Sequence, residues 1–341
     1  MPAPELQQLP ADLSEQRVGI SYSGGGPLVL IELGIAQAFV DLKIIPAAIA
    51  GVSAGAIAGT AHALDPVNGA GIKAAAEALL TLSDMKLGLT RGQMVLKVII
   101  ALLSLRRLPN SLADNRSVEQ TTEAVFQKLG AQPGLTVGDF GKNGRVPLFV
   151  GGTDAEAGER TWFADAVKVA DALVASSAIP GVFPPRRITI DGKRRVFVDG
   201  AVAQNQPLSE LVLTAKCGTL YACAVGYDGE PQAVPSDALE NVLKSISIVS
   251  HESSRLEQGY LQLMFQQAGK GVAHHIHPEG PFDVQDFNFT PDQIRTVMST
   301  ACAQTKNYIQ DGRMPPSVPV PVPAPALATV TAPPPNDGGA G

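Results

Sequence analysis

Short apolar runs of four to seven residues alternate with longer stretches of helical periodicity along most of this chain, the pattern of an α/β protein. Arg17–Tyr22 reads as a strand that ends in Ser23-Gly24-Gly25-Gly26-Pro27. From Leu28 to Leu42 apolar residues recur at helical spacing, and Pro27 suits the first helical position because its missing N–H has no partner to lose there. Ala47–Gly51 reads as a second strand and runs into the small-residue helix that follows Ser53. Strand, helix, strand, helix predicts a right-handed parallel crossover. Residues 68–130 read as mostly helical, Val146–Gly152 and Gly158–Phe163 as strands around a turn at Asp154–Ala157, and Ala166–Ser177 as a helix. Arg186–Ile190 and Arg195–Val198 flank Asp191-Gly192, a hairpin signal. Thr219–Val225 reads as a strand, Ser236 to Ala268 as a long helix, Ala273–His277 as a last strand and Pro291–Gln310 as a terminal helix.

This pattern divides the chain into a loose arm over 1–14, one domain over 15–312 with a helical insertion at about 68–130, and a tail over 313–341. The tail is rich in Pro, Ala and Gly and is expected to form no packed core. At 45% hydrophobic over 341 residues, the rest can bury a sizeable core. With 26 basic and 32 acidic residues and no long basic block, nucleic acid is not an expected partner. Cys217, Cys223 and Cys302 form no framework or metal-like spacing and suit a reducing compartment. A polar N-terminus and the lack of a 20-residue apolar run predict a cytoplasmic protein. The most apolar stretch, Met94 to Arg107, has two readings: a buried core helix, or a helix that dips into lipid while Arg106 and Arg107 meet phosphates, which would make the protein peripheral to a membrane.

Candidate chemistry begins at Gly51-Val52-Ser53-Ala54-Gly55, a G-x-S-x-G pentapeptide between an apolar strand and a small-residue helix. A serine on a sharp strand-to-helix turn needs small neighbours, and the turn aims its hydroxyl away from the backbone. Ser53 is the candidate nucleophile. Gly24, Gly25 and Gly26 follow the neighbouring strand, so both loops should emerge at one sheet edge, where glycine N–H groups can approach a developing oxyanion. None of the five histidines lies in a loop that announces catalysis. His62 lies on the helix of Ser53, His251 on the long helix, and strand alternation is expected to put His275 opposite His274 and His277, which argues against a metal site. Asp199-Gly200-Ala201 caps the apolar run Val196–Val198 and precedes Gln204-Asn205-Gln206-Pro207, where an aspartate could take the Ser53 proton directly; a turn aspartate is the other reading.

Taken together, Gly24–Gly26, Gly51-x-Ser53-x-Gly55 and Asp199-Gly200-Ala201 resemble the patatin-like phospholipases. The resemblance extends to Thr153-Asp154 with Gly158-Glu159, to Ala175–Pro185, and to Asn205-x-Pro207. It covers about residues 17–225. It implies a three-layer α/β sandwich with a central, mostly parallel sheet flanked by helices. It also implies a Ser53–Asp199 dyad with Gly24, Gly25 and Gly26 as oxyanion donors and no metal or cofactor. The implied substrates are carboxylic esters in phospholipid, lysophospholipid or neutral lipid. Leu28 departs from that family, which usually carries Arg or Lys two residues after its third glycine; the departure shifts the expectation a little toward neutral esters. Two alternatives stand beside this reading: an α/β-hydrolase with Ser53, an aspartate and a late histidine, and a non-catalytic lipid-binding protein.

Overall fold

The computed structural model describes residues 9–84, 116–128, 134–227, 229, 238–279 and 290–311. The first eight residues, the stretch 94–107 and the tail from 313 lie outside them. Among the described residues eight strands form one sheet: β1 (Ser14–Tyr22), β2 (Ala48–Gly51), β3 (Leu148–Asp154), β4 (Glu159–Trp162), β5 (Arg186–Ile190), β6 (Lys193–Val198), β7 (Cys217–Cys223) and β8 (Val272–Ile276). Their order is β5-β6-β3-β2-β1-β7-β8, with β4 also paired to β3. The pairs β1–β2, β1–β7, β2–β3 and β7–β8 are parallel, whereas β4, β5 and β6 join antiparallel.

Among the described residues eight α-helices accompany the sheet: α1 (Val29–Asp41), α2 (Ala54–Leu64), α3 (Ala70–Asp84), α4 (Arg116–Lys128), α5 (Val169–Ser176), α6 (Ser209–Leu213), α7 (Ala238–Ala268) and α8 (Pro291–Gln310). Strand alternation divides the core. Ile20, Tyr22, Ile49, Val150, Cys223 and Ile276 face α1, α2, α3 and α8, while Ala48, Ala50, Leu220 and Ala222 face α6 and α7. Sheet between two helical layers is the α/β three-layer architecture expected. Eleven of the thirteen residues of α1 are buried, because it lies under both the sheet and α8; that is why its sequence is apolar around most of its circumference, with Gln37 and Asp41 on the one open side. No described helix is long and apolar enough to cross a membrane.

Several element ends differ from the sequence reading, each for a tertiary reason. β1 starts at Ser14, because Ser14 N–H donates to the Lys216 carbonyl ahead of β7, and Leu9 and Leu13 pack on the α6–α7 core. Pro27 lies in a single 3-10 turn, Gly26–Leu28, ahead of α1. β7 begins two residues early and stops at Cys223, after which Val225 N–H turns to Ser23 Oγ. The β5–β6 hairpin turns as expected at Asp191 and Gly192, both with positive φ (52° and 74°).

The expected separation of the late histidines is not what forms. On β8, His275 pairs in register with Ala222 and faces α7, and His277, two residues on, lies beside it with ring centroids 6.1 Å apart. His274 faces the other way, against Tyr221 at 5.0 Å. A period of two puts 275 with 277, so it is His274 that stands alone.

Candidate active site

The chain leaves β1 toward β2 on one side, whereas β7, on the other side of β1, leads away to β8, and at such a reversal the loops beyond the carboxyl ends diverge and leave a crevice. Tyr22 aligns with Gly51 and with Cys223, so the loops after β1, β2 and β7 emerge at one level. The glycine loop 24–26 and Ser53 are two of them.

Ser53 sits between β2 and α2 with φ 52° and ψ −125°, a conformation that costs a non-glycine residue of order 1–3 kcal/mol. It persists because its surroundings over-determine it. A Cβ at Gly55 would fall on the carbonyl oxygens of Tyr22 and Ser23, so β1 and α2 approach as closely as they do only through glycine. Gly51 faces the backbone of Gly55 itself. The Ser53 N–H donates to Ser176 Oγ at 2.8 Å, and Ser176 Oγ in turn donates to the Gly151 carbonyl at 2.6 Å. The Ser53 carbonyl accepts from Ala56 N–H at 3.0 Å and Ile57 N–H at 3.4 Å in the first turn of α2.

Asp199 reaches Ser53 through the antiparallel part of the sheet. Gly51 at the end of β2 pairs with Val150, and β3 continues four residues beyond, to Asp154. β6 returns along that extension, with Val198 opposite Thr153, and delivers Asp199 just past the end of β2. There Ser53 Oγ donates to Asp199 Oδ2 at 2.7 Å, and Ala201 N–H donates to Oδ1 at 2.8 Å. The Asp199 backbone is held at both ends, its N–H by the Ala178 carbonyl at 2.9 Å and its carbonyl by Thr153 Oγ1 at 2.8 Å. Both side chains are buried, each residue 3% exposed. Burial pushes the Asp199 carboxyl up from 3.8 to about 6, against the opposing pull of the Ser53 and Ala201 hydrogen bonds.

The glycine loop closes the site on the β7 side. Gly24 fits against Asn205, Ala201 and Ser53: a Cβ there would lie 2.8 Å from Asn205 Oδ1 and 3.3 Å from Ser53 Cβ. Its N–H already donates to Asn205 Oδ1 at 2.9 Å, which sets it apart from Gly25 and Gly26. Gly26 has φ 55° and Gly25 abuts Val225. Leu28 packs partly buried against the main core, with its Cδ1 beside Gly226.

The five histidines are engaged elsewhere. His62 is fully buried, its Nδ1 2.9 Å from Tyr22 Oη and its ring stacked on Phe39; burial holds its pKa down at about 3. His251 Nδ1 lies 3.1 Å from the Tyr227 carbonyl, and His274, His275 and His277 make the ring contacts described above. A groove of about 930 Å³ between α1, α3 and α8 contains none of the residues around Ser53.

Two side chains here carried no assigned role in the sequence. Ser176 and Asn205 stood only as letters in the motifs around them. The one available signal was a polar residue inside an apolar context, as in Leu173-Val174-Ala175-Ser176, and Ser176 is fully buried.

A sequence profile of the patatin-like phospholipases matches residues 20–212. Among solved structures the chain is similar to VipD from Legionella pneumophila, with a TM-score of 0.45 and 14% identity, covering 87% of this chain and 67% of VipD. It is similar also to the type III effector protein ExoU, with a TM-score of 0.40 and 12% identity, covering 89% of this chain. It spans only 56% of the length of ExoU.

Proposed function

The chain belongs to the patatin-like phospholipase family, a family of lipid hydrolases, and from that premise we propose that it cleaves lipid carboxylic esters with Ser53 as nucleophile and Asp199 as base. The observation that carries this reading is the 2.7 Å hydrogen bond between Ser53 Oγ and Asp199 Oδ2, two residues 146 apart in sequence, in a buried site on a strained turn. A nucleophile within hydrogen-bond reach of its base, with the base itself oriented by a further bond, is what acyl transfer through serine needs. An aspartate near its ordinary pKa is a weak base; one raised to about 6 is ionised at neutral pH yet takes a proton far more readily.

In the first half-reaction Ser53 Oγ attacks the ester carbonyl while its proton passes to Asp199 Oδ2. The carbonyl oxygen becomes the oxyanion, and the N–H groups of Gly25 and Gly26 donate to it. Gly24 belongs to the same loop, but its N–H is committed to Asn205, so it shapes the pocket and donates less. The N-terminus of α2 adds a favourable dipole. Collapse breaks the C–O bond to the leaving alcohol, which takes the proton from Asp199. Water then gives a proton to Asp199, attacks the acyl carbonyl and releases the fatty acid as Ser53 recovers its proton. No step uses a histidine or a metal.

We assign this chemistry to a domain of residues 15–312 and its substrates to phospholipid, lysophospholipid or neutral lipid esters. The test is fatty-acid release from phosphatidylcholine, from a lysophospholipid and from a short p-nitrophenyl ester, with wild type beside Ser53→Ala and Asp199→Asn. Loss of activity in both folded variants is the expected result, and wild-type rates in either would refute the dyad. A fluorophosphonate probe that labels wild type but not Ser53→Ala would exclude a non-catalytic lipid-binding protein.

A further inference from the structure

The conformation that aims Ser53 at its base is not held by its own strand or helix alone. Its N–H is satisfied inside the protein by a side chain, Ser176 Oγ, at the last residue of α5. That hydroxyl has a single proton, and the proton is committed to the Gly151 carbonyl at 2.6 Å. Toward Ser53 it can therefore act only as acceptor. One oxygen joins the nucleophile turn to β3, in a fully buried position where water cannot substitute for it.

We propose that Ser176 is a positioning residue for the nucleophile: it fixes the Ser53 backbone in its strained turn and so holds Oγ on Asp199. The proposal rests on the reading of Ser53 and Asp199 as nucleophile and base. Two consequences distinguish it from ordinary packing. With its N–H held by Ser176, Ser53 contributes no oxyanion donor of its own, so Ser176 leaves charge stabilisation to the glycine loop and acts on aim alone. And because the Ser53 hydrogen bond lowers the Asp199 pKa, a turn that loses its hold should let that pKa rise.

The test compares Ser176→Ala, Ser176→Thr and Ser176→Cys with wild type. It reads kcat and KM on a soluble p-nitrophenyl ester, the second-order rate of fluorophosphonate labelling at Ser53, the pH–rate midpoint and the melting temperature. Alanine leaves the Ser53 N–H and the Gly151 carbonyl both unpaired, and is expected to slow labelling and kcat roughly 10–100-fold with KM little changed, the scale of an ångström of misplacement. The midpoint should move upward in the same variant. Threonine keeps the hydroxyl and should stay within about threefold of wild type, while cysteine, a poor acceptor, should fall between. If alanine fails to fold, the threonine and cysteine pair decides: equal rates in those two would overturn the proposal. So would a folded alanine variant labelled at the wild-type rate, or one slowed with an unmoved midpoint and no recovery in threonine. Wild type that does not label at all would overturn the dyad itself, and the clamp with it.

Discussion

Replacing Asp199 by asparagine should make the protein inactive and more stable at once. Asp199 is 3% exposed, and burial raises its carboxyl from 3.8 to about 6. Below about pH 4 the group is protonated in both folded and unfolded chains and costs nothing. Between about pH 4 and 6 the unfolded chain ionises first, so stability falls as pH rises; above pH 6 both forms are ionised and the loss is constant. A rise of about 2 units at 1.36 kcal/mol each amounts to about 3 kcal/mol at neutral pH. Asparagine is neutral throughout and can keep both contacts, its Oδ1 accepting from Ala201 N–H and its amide donating to Ser53 Oγ. At roughly 2–4 °C per kcal/mol for a domain of this size, the variant should melt well above wild type at pH 8.

The assay is paired urea or thermal unfolding of wild type and Asp199→Asn from pH 4 to 8, with ester hydrolysis on the same samples. The expected difference curve is near zero at pH 4, climbs through pH 5–6 and is flat above. Wild-type kcat should rise over the same interval, because the base must be ionised to accept the Ser53 proton. A variant less stable than wild type at pH 8, or a difference independent of pH, would refute the account of Asp199 as a buried carboxylate held at a cost in stability for its chemistry.

Gly55→Ala should destabilise by about 3 kcal/mol through overpacking and should abolish fluorophosphonate labelling, since its Cβ would press on the carbonyls of Tyr22 and Ser23; a thermal melt and a labelling gel check both. Joint replacement of His251, His274, His275 and His277 should leave kcat within a few-fold of wild type, and a loss as deep as that of Ser53→Ala would favour a Ser-His-Asp triad instead. Glu32 on α1 is fully buried, neither carboxyl oxygen has a hydrogen-bond partner among the described residues, and burial raises its pKa well above the usual range. Glu32→Met should therefore stabilise by about 1–2 kcal/mol at pH 7 by removing unpaired polar atoms, a gain that chemical denaturation would detect and that a lower midpoint would contradict.

What the amino-acid sequence discloses about this site, and what it withholds, follows from the range of each interaction. The G-x-S-x-G turn is local: a strand, a glycine, a serine, a glycine and a small-residue helix lie within seventeen residues, and the steric demand at Gly55 acts between β1 and the helix that the pentapeptide itself begins. The strand–helix–strand order was legible for the same reason. The late histidines follow an equally local rule, because a period of two groups His275 with His277, and the ladder from β7 makes that visible. Asp199 was legible as an aspartate ending a strand, but its raised pKa depends on burial under loops that come from elsewhere in the chain. The remaining features are long-range. Gly24 N–H meets an acceptor 181 residues away in Asn205, and Ser53 N–H one 123 residues away in Ser176. No propensity or periodicity marks such a pairing, since a serine ending a helix looks in sequence like any other terminal serine. Those two bonds nevertheless decide which N–H groups around Ser53 are free to meet an oxyanion. Three glycines in a row therefore do not make three equal donors: the N–H of the first is spent on Asn205, and under the proposed mechanism only those of Gly25 and Gly26 remain for an oxyanion.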